Sequence, residues 1–250
     1  MGRSRGSIAG QSMRMGLQFH GGRAVELKPS HRAIVEGRTL FPHQVRNPTL
    51  GVLKPGGNQR KLGGKVFKGA WRGMPIVSLT LEERATCPSS CLQWRNCYTN
   101  NMGRSVRYRH GYKLENAIIA DLAKLQENHQ NGFVVRLHLG GDFYSVAYVD
   151  FWADRLDEFP ALRVFGYTAR QIDDPIGERI AALRDYAWDR FAVRTSGAES
   201  GPRTIVVADA TMRGDSIVCP AQLSKTTNCG SCGLCWAPAA MRRTIAFVEH

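Results

Sequence analysis

Several things are missing from this 250-residue chain, and each absence removes a class of function. No stretch approaches the ~20 consecutive apolar residues that a membrane-spanning helix needs. The positive charges near the N-terminus are not followed by the apolar run of a secretory signal, so the expected location is the cytoplasm, with no membrane contact. Ser-His-Asp order, a phosphate-binding P-loop and a His-Glu-x-x-His pattern are all lacking, which leaves hydrolase chemistry little support. Acidic residues are scarce in the first third: residues 1–72 hold 14 Lys and Arg against Glu26 and Glu36 alone, so almost all of the formal +13 charge lies there.

That first third, residues 1–72, reads as a basic, Gly-rich and partly disordered arm, with residues 1–24 disordered. It is either a solvated linker or an electrostatic contact for nucleic acid or another polyanion. Beyond it, 43% hydrophobic content is enough for one sizeable core. Met74 to Leu81 predicts a strand, and Leu114, Ile118, Ile119, Leu122 and Leu125 recur at helical spacing. Phe133 to Leu139 predicts a second strand that ends at Gly140-Gly141. Ser145 is placed to cap a helix whose inner face is Tyr148, Phe151, Trp152 and Leu156, and Pro160 stops it.

Further strands are predicted at 162–167, 190–194 and 204–208, with a helix from Pro175 to Leu183. Strands alternating with helices imply parallel pairing, because parallel neighbours need a crossover and a helix fills it. The predicted fold class is therefore α/β, a partial or complete β/α barrel over residues 73–210 with a mainly parallel sheet. A cysteine-rich metal-binding segment follows at 211–250.

Seven cysteines fall into a group of three, Cys87, Cys91 and Cys97, and a group of four, Cys219, Cys229, Cys232 and Cys235. An odd number in tight groups points to metal binding more than to disulfides in a reducing compartment. The four-cysteine group has two consecutive C-x2-C steps and a distant Cys-Pro, a spacing that suits an iron–sulfur cluster, with zinc as the alternative. Four thiolates close a metal's coordination, whereas three leave one position open. Bare spacing would also let Cys87, Cys91 and Cys97 bind zinc with a histidine such as His110. Both the three-cysteine loop and Gly140-Gly141-Asp142 follow predicted strands, at the sheet end where parallel α/β folds bind ligands.

In these residues the chain resembles the radical S-adenosylmethionine enzymes. That resemblance implies an open [4Fe–4S] cluster on Cys87, Cys91 and Cys97, an unidentified substrate and an electron donor. It also implies S-adenosylmethionine bound through its amine by the backbone of Gly140 and Gly141 and by the Asp142 carboxylate. The family's usual spacing is C-x3-C-x2-C; here five residues separate Cys91 from Cys97, and aspartate stands where glutamate is commoner. The four-cysteine group resembles the auxiliary-cluster segments of some of those enzymes. The longer pattern, through TLEERATCPSSCLQWRNCYTNNM, VVRLHLGGDFYS and CGSCGLCW, resembles the phage-associated gene product 88 family over roughly residues 40–240, in the size range of one domain.

A second functional class is a zinc- or cluster-stabilised nucleic-acid-binding protein without catalysis. Tyr144, Tyr167, Arg170, Arg194 and Thr195 follow predicted strands, where polar residues are common, and each reads individually as structural. His138 within an apolar strand reads as a satisfied core histidine. Trp94, Tyr98 and Trp236 flank thiols and would shield them from water.

Overall fold

The structure, a computed structural model, describes residues 25–249. The expected disorder of residues 1–24 lies outside the described residues. In chain order the elements are α1 (Arg32–Val35), β1 (Val45–Arg46), β2 (Lys54–Pro55), β3 (Ile76–Ser78), β4 (Arg107–Tyr108) and α2 (Tyr112–Asn128). Next come β5 (Phe133–Leu137), α3 (Val146–Glu158), β6 (Leu162–Thr168), α4 (Pro175–Tyr186), β7 (Phe191–Ser196) and β8 (Arg203–Val207). The chain ends with β9 (Ile217–Val218), α5 (Cys229–Cys232) and β10 (Ile245–Val248).

Eight strands form one sheet in the order β2-β3-β5-β6-β7-β8-β10-β9, and β1 pairs with β4 apart from it. Only the β2–β3 pair in the large sheet is antiparallel. The sheet therefore follows the expected α/β and mainly parallel class. Barrel closure is not found: β2 and β9 remain the two edges among the described residues.

From β3 to β7 the strand order is the chain order. Right-handed crossovers in such a sheet place every connecting helix on the same face. Strand alternation then sorts the side chains. Phe133, Val135, Leu137, Val164, Phe191 and Val193 pack with Leu114, Ile118, Trp152 and Ile180 of the helices. Val134, Phe165 and Ala192 point to the other face, where Leu62, Val66, Trp71, Cys235 and Trp236 cover them. The second face is thus closed by residues 62–71 and by the C-terminal cysteine segment.

Local chemistry sets the helix starts. Ser145 Oγ accepts the Tyr148 N–H at 3.1 Å, and the Asp174 side chain accepts from Ile176 at 2.8 Å with Pro175 in the first turn. One parallel connection departs from the expected pattern: β7 and β8 are joined by only residues 197–202, with no helix. A short link suffices because the paired residues are Thr195 with Arg203 and Ser196 with Thr204, so β8 begins level with the end of β7. The C-terminal segment, expected beyond the core, supplies β9 and β10 to the sheet itself.

Buried arginines hold the irregular segment between β3 and α2. Arg107 and Glu83 form an ion pair at 2.7 Å with side chains 0% and 1% exposed. The remaining Arg107 donors reach the carbonyls of Thr99, Met102 and Ser105, and Thr39 Oγ1 donates to Glu83 at 2.6 Å. Removing one partner of a satisfied buried pair strands the other charge, which typically costs about 3–5 kcal/mol. Glu83→Gln or Arg107→Met should therefore lower the urea-unfolding free energy by about that much, whereas breaking the exposed Arg32–Glu36 pair with Glu36→Gln should change it by less than about 1 kcal/mol.

Candidate metal centre

The three-cysteine loop leaves the sheet at Leu81 and is anchored by charged residues the sequence reading passed over. Arg38 makes two bonds to the Glu82 carboxylate, at 2.7 and 2.9 Å. Arg84 adopts φ 65 and sends its guanidinium to the Trp94 carbonyl at 2.9 Å and to Asn100 Oδ1 at 2.7 Å. Asn100 in turn donates to the carbonyls of Val25 and Arg95. These contacts tie the two ends of the loop 84–100 together.

Burial pushes the thiol of Cys87 well up, and the negative charge of Asp142, Cys97 and Cys91 adds to the effect. Cys91 is pushed up to about 11, first by burial, while a backbone N–H of Gln93 pulls it down. Cys97 is raised by burial and held back by the Thr99 hydroxyl, 2.9 Å from its sulfur. As free thiols all three are neutral at pH 7; a bound cation would favour their thiolates.

The loop lies over the carboxyl ends of the parallel strands. Asn96 donates to Glu249 just beyond β10 at 3.1 Å. A Cβ on Gly197, after β7, would meet Leu92 at 2.9 Å. Thr86 Oγ1 accepts the Asp142 N–H at 3.1 Å, and Arg170 ties the Thr86 carbonyl to that of Phe143 and to Asp174. Gly141 has φ 81, and a Cβ there would approach Leu81 Cβ and Thr86 Oγ1 to 2.6 Å. Only glycine permits that closeness. Gly140 and Gly141 therefore stand beside the three-cysteine loop.

The Asp142 carboxylate is engaged within the fold. It is 3% exposed and accepts from Thr168 Oγ1, Ala169 N–H and Phe143 N–H, each at 2.7 Å. Burial nevertheless pushes its pKa up to about 6. The His110 ring lies 4.9 Å from that of Tyr144, tilted by 43°, and Tyr144 donates to Glu115 at 2.7 Å. His138 is buried among Phe143 and Tyr148, as a core residue, but its Nδ1 has no partner.

The four remaining cysteines line one cavity, with Tyr167, Leu234, Trp236, Ile245 and Phe247 as its other walls. An Asn228–Ser231 capping box starts α5, and Gly233 in the left-handed region ends it, so Cys229 and Cys232 sit one turn apart. Tyr167 donates to Cys235 Sγ at 2.9 Å. Burial raises Cys229 to about 12 and Cys235 to about 11; negative charge on Cys219 and Cys232 contributes to both.

Two buried guanidiniums face this group. Arg194 is 0% exposed and donates to the carbonyls of Cys235, Ala240, Met241 and Arg243. Arg136, 8% exposed, donates to the carbonyls of Leu137 and His138 and lies 4.6 Å from the Tyr167 ring. Neither pairs with a carboxylate among the described residues. The Arg136 charge favours the Cys229 thiolate and also acts on Tyr98, the neighbour of Cys97.

The expected metal-binding segment is not shown by the geometry. Among the described residues no three His, Cys, Asp or Glu side chains form a ready site for one metal ion. All seven cysteines are free of disulfides. Sequence reading had named the thiols and the glycines, and missed Glu83, Arg84, Arg107 and Arg136. The Glu-Glu-Arg run directly after an apolar strand was the available signal for the first two.

His138 also generates a pH prediction. Burial, aided by the Arg136 charge, lowers its pKa from 6.5 to about 3. A depressed histidine stabilises the fold fully above its unfolded pKa, and that contribution is lost as pH falls toward the folded value. Between pH 6.5 and 4 the chain should lose about 3 kcal/mol that a His138→Phe variant does not lose, measured as the difference between their urea-unfolding free energies across that range.

No helix of the described residues is long and apolar enough to cross a membrane. No curated protein and no solved structure matches the chain. A family model does match, over residues 53–205, which takes in Cys87, Cys91, Cys97 and Gly140-Gly141-Asp142 and stops short of the four-cysteine segment. On that match, which spans more than half of its length, the chain belongs to the Gene product 88 family.

Proposed function

We propose that this protein carries iron–sulfur clusters, a closed one on Cys219, Cys229, Cys232 and Cys235 and an open one on Cys87, Cys91 and Cys97, and that it acts on S-adenosylmethionine. The single observation that carries the reading is the pairing of four thiols around one cavity with two buried guanidiniums that have no carboxylate. Buried cations are normally matched by buried anions. Thiolates on a metal are the anions within reach of Arg194 and Arg136.

The donor set fits a cluster better than zinc. A single zinc, about 2.3 Å from each sulfur, needs its ligands gathered at one point, whereas a cluster bonds each thiolate to a different iron and tolerates wider separation. The four cysteines line one cavity, and their two consecutive C-x2-C steps suit a cluster. Backbone N–H groups of Gln222 and Ala221 favour the Cys219 thiolate, as that of Gln93 does for Cys91. Hydrogen bonds of this kind to sulfur are among the protein's levers on a cluster's potential.

At the open site the chemistry supplied by such a cluster is one-electron reductive cleavage of a sulfonium. The chain's own residues do the rest. Gly140 and Gly141 let a ligand approach backbone closely beside the thiols. Asp142 holds the end of β6 in place through Thr168 and Ala169, which positions Arg170 and, through it, Thr86 at the base of the cysteine loop. In this reading Asp142 is a positioning residue, and recognition of the ligand's ammonium falls to the glycine backbone.

Anaerobic purification followed by iron, sulfide and zinc analysis tests the proposal. Two cubane clusters correspond to about eight irons and eight sulfides per chain. Cys232→Ser and Cys91→Ser should each remove about half of the iron. Adding S-adenosylmethionine should change the electron paramagnetic resonance spectrum of reduced Cys232→Ser and leave that of reduced Cys91→Ser unchanged. Stoichiometric zinc with negligible iron would overturn the cluster assignment; iron with no spectral response to S-adenosylmethionine would overturn the open site.

A further inference from the structure

The charge of this protein is segregated in space as well as in sequence. Residues 37–81 contain no Asp or Glu but eight Lys and Arg, and residues 216–248 contain no Asp or Glu but Lys225, Arg242 and Arg243. Of the 21 acidic residues, eighteen fall between Glu82 and Asp215, the part of the chain that carries helices α2, α3 and α4.

The two acid-free segments are built into one another. Phe67 N–H donates to the Gly230 carbonyl at 2.9 Å, Cys229 N–H to that of Lys61 at 2.9 Å and Gly230 N–H to that of Leu62 at 3.2 Å. Trp71 stacks on Trp236 with centroids 5.2 Å apart and planes at 9°. A Cβ on Gly230 would come within 2.0 Å of the Lys65 carbonyl, so the contact depends on glycine. Lys68 Cγ lies against Gly233. These contacts hold the cations of the first segment in a fixed place beside the four-cysteine loop.

Lys65, Lys68 and Arg72 are exposed and make no ion pair among the described residues, and the same holds for Lys225. Phe67, 58% exposed, lies between Lys65 and Lys68 in the sequence. A fixed group of unpaired cations attracts phosphate, and an exposed aromatic ring among them offers a surface on which an unpaired base stacks. Insertion into a lipid surface is typically the work of a long amphipathic helix. The only α-helix in either segment is the four-residue α5.

We propose that the face formed by residues 60–72 and the four-cysteine segment binds single-stranded nucleic acid, with Lys65, Lys68 and Arg72 on its phosphates and Phe67 stacked on a base. This goes beyond the cluster reading and does not rest on it, since the cations sit on backbone contacts that require no redox chemistry. Exchange of phosphate counterions for protein cations makes such binding fall steeply with salt.

The test is fluorescence anisotropy of labelled 20-nucleotide oligo-dT and oligo-U with the full chain, from 50 to 300 mM salt. The triple variant Lys65→Glu, Lys68→Glu, Arg72→Glu should weaken binding at least ten-fold and flatten the plot of log affinity against log salt by about two units, at roughly 0.7 per contact. Phe67→Ala should weaken it by about ten-fold, in the range known for lost base stacking. Charge reversal at Lys113 and Lys124 on α2, both exposed, should leave affinity within two-fold.

Absence of wild-type binding at 50 mM salt, or equal loss in the α2 control, would overturn the proposal. So would Phe67→Ala binding as the wild type does, which would mark general polyanion attraction, or a preference for duplex of the same length. Far-UV circular dichroism and iron content, measured on every variant, separate this outcome from that of the cluster: loss of nucleic-acid binding with iron retained tests the face, and loss of iron tests the thiols.

Discussion

Everything in this fold follows from the handedness of its crossovers. Because β3, β5, β6 and β7 lie in the sheet in chain order, right-handed connections put α2, α3 and α4 on one face and leave the other without helices. That second face carries Val134, Phe165 and Ala192, which must be covered, and also Arg136 and Arg194, which must be satisfied. Cover comes from residues 62–71 and from the C-terminal cysteine segment. The same physical requirement therefore brings residues 60–72, the four cysteines and the buried arginines to one place.

Arg194 shows how that cover is attached. Its guanidinium bonds only to carbonyls, of Cys235, Ala240, Met241 and Arg243, so it pins the C-terminal loop by backbone and leaves its own charge unmatched. Arg107 does similar work on the other side with carbonyls of Thr99, Met102 and Ser105, but there Glu83 matches the charge. The contrast between a neutralised guanidinium and an unmatched one distinguishes a purely structural loop from one whose thiols have an anionic state to adopt.

The helices and strands between 112 and 208 were legible because each obeys a local rule: the 3.6-residue stripe of Leu114, Ile118 and Leu122, the Ser145 cap, the Gly140-Gly141 stop. Whether the sheet would close into a barrel was not legible, since closure depends on how far the sheet twists and on which segment meets its edge; among the described residues it stays open. Strands β9 and β10 were missed for a related reason: Ile217–Val218 and Ile245–Val248 are short, and pairing with β8 and with each other makes them strands. At the candidate site the thiols and glycines could be named from spacing. Glu83 and Arg107, 24 residues apart, carry no local signature of pairing.

The sequence by itself determined the α/β class, the two cysteine groups and the strand end at Gly140-Gly141, because periodicity, spacing and turn chemistry act over a few residues. Tertiary structure alone decided three other matters. It placed all four later cysteines around one cavity, it engaged the Asp142 carboxylate with Thr168 and Ala169, and it set the acid-free stretches 37–81 and 216–248 against each other. Each depends on which distant segments the fold brings together, because a hydrogen bond needs its partners within about 3 Å and charge weakens with distance.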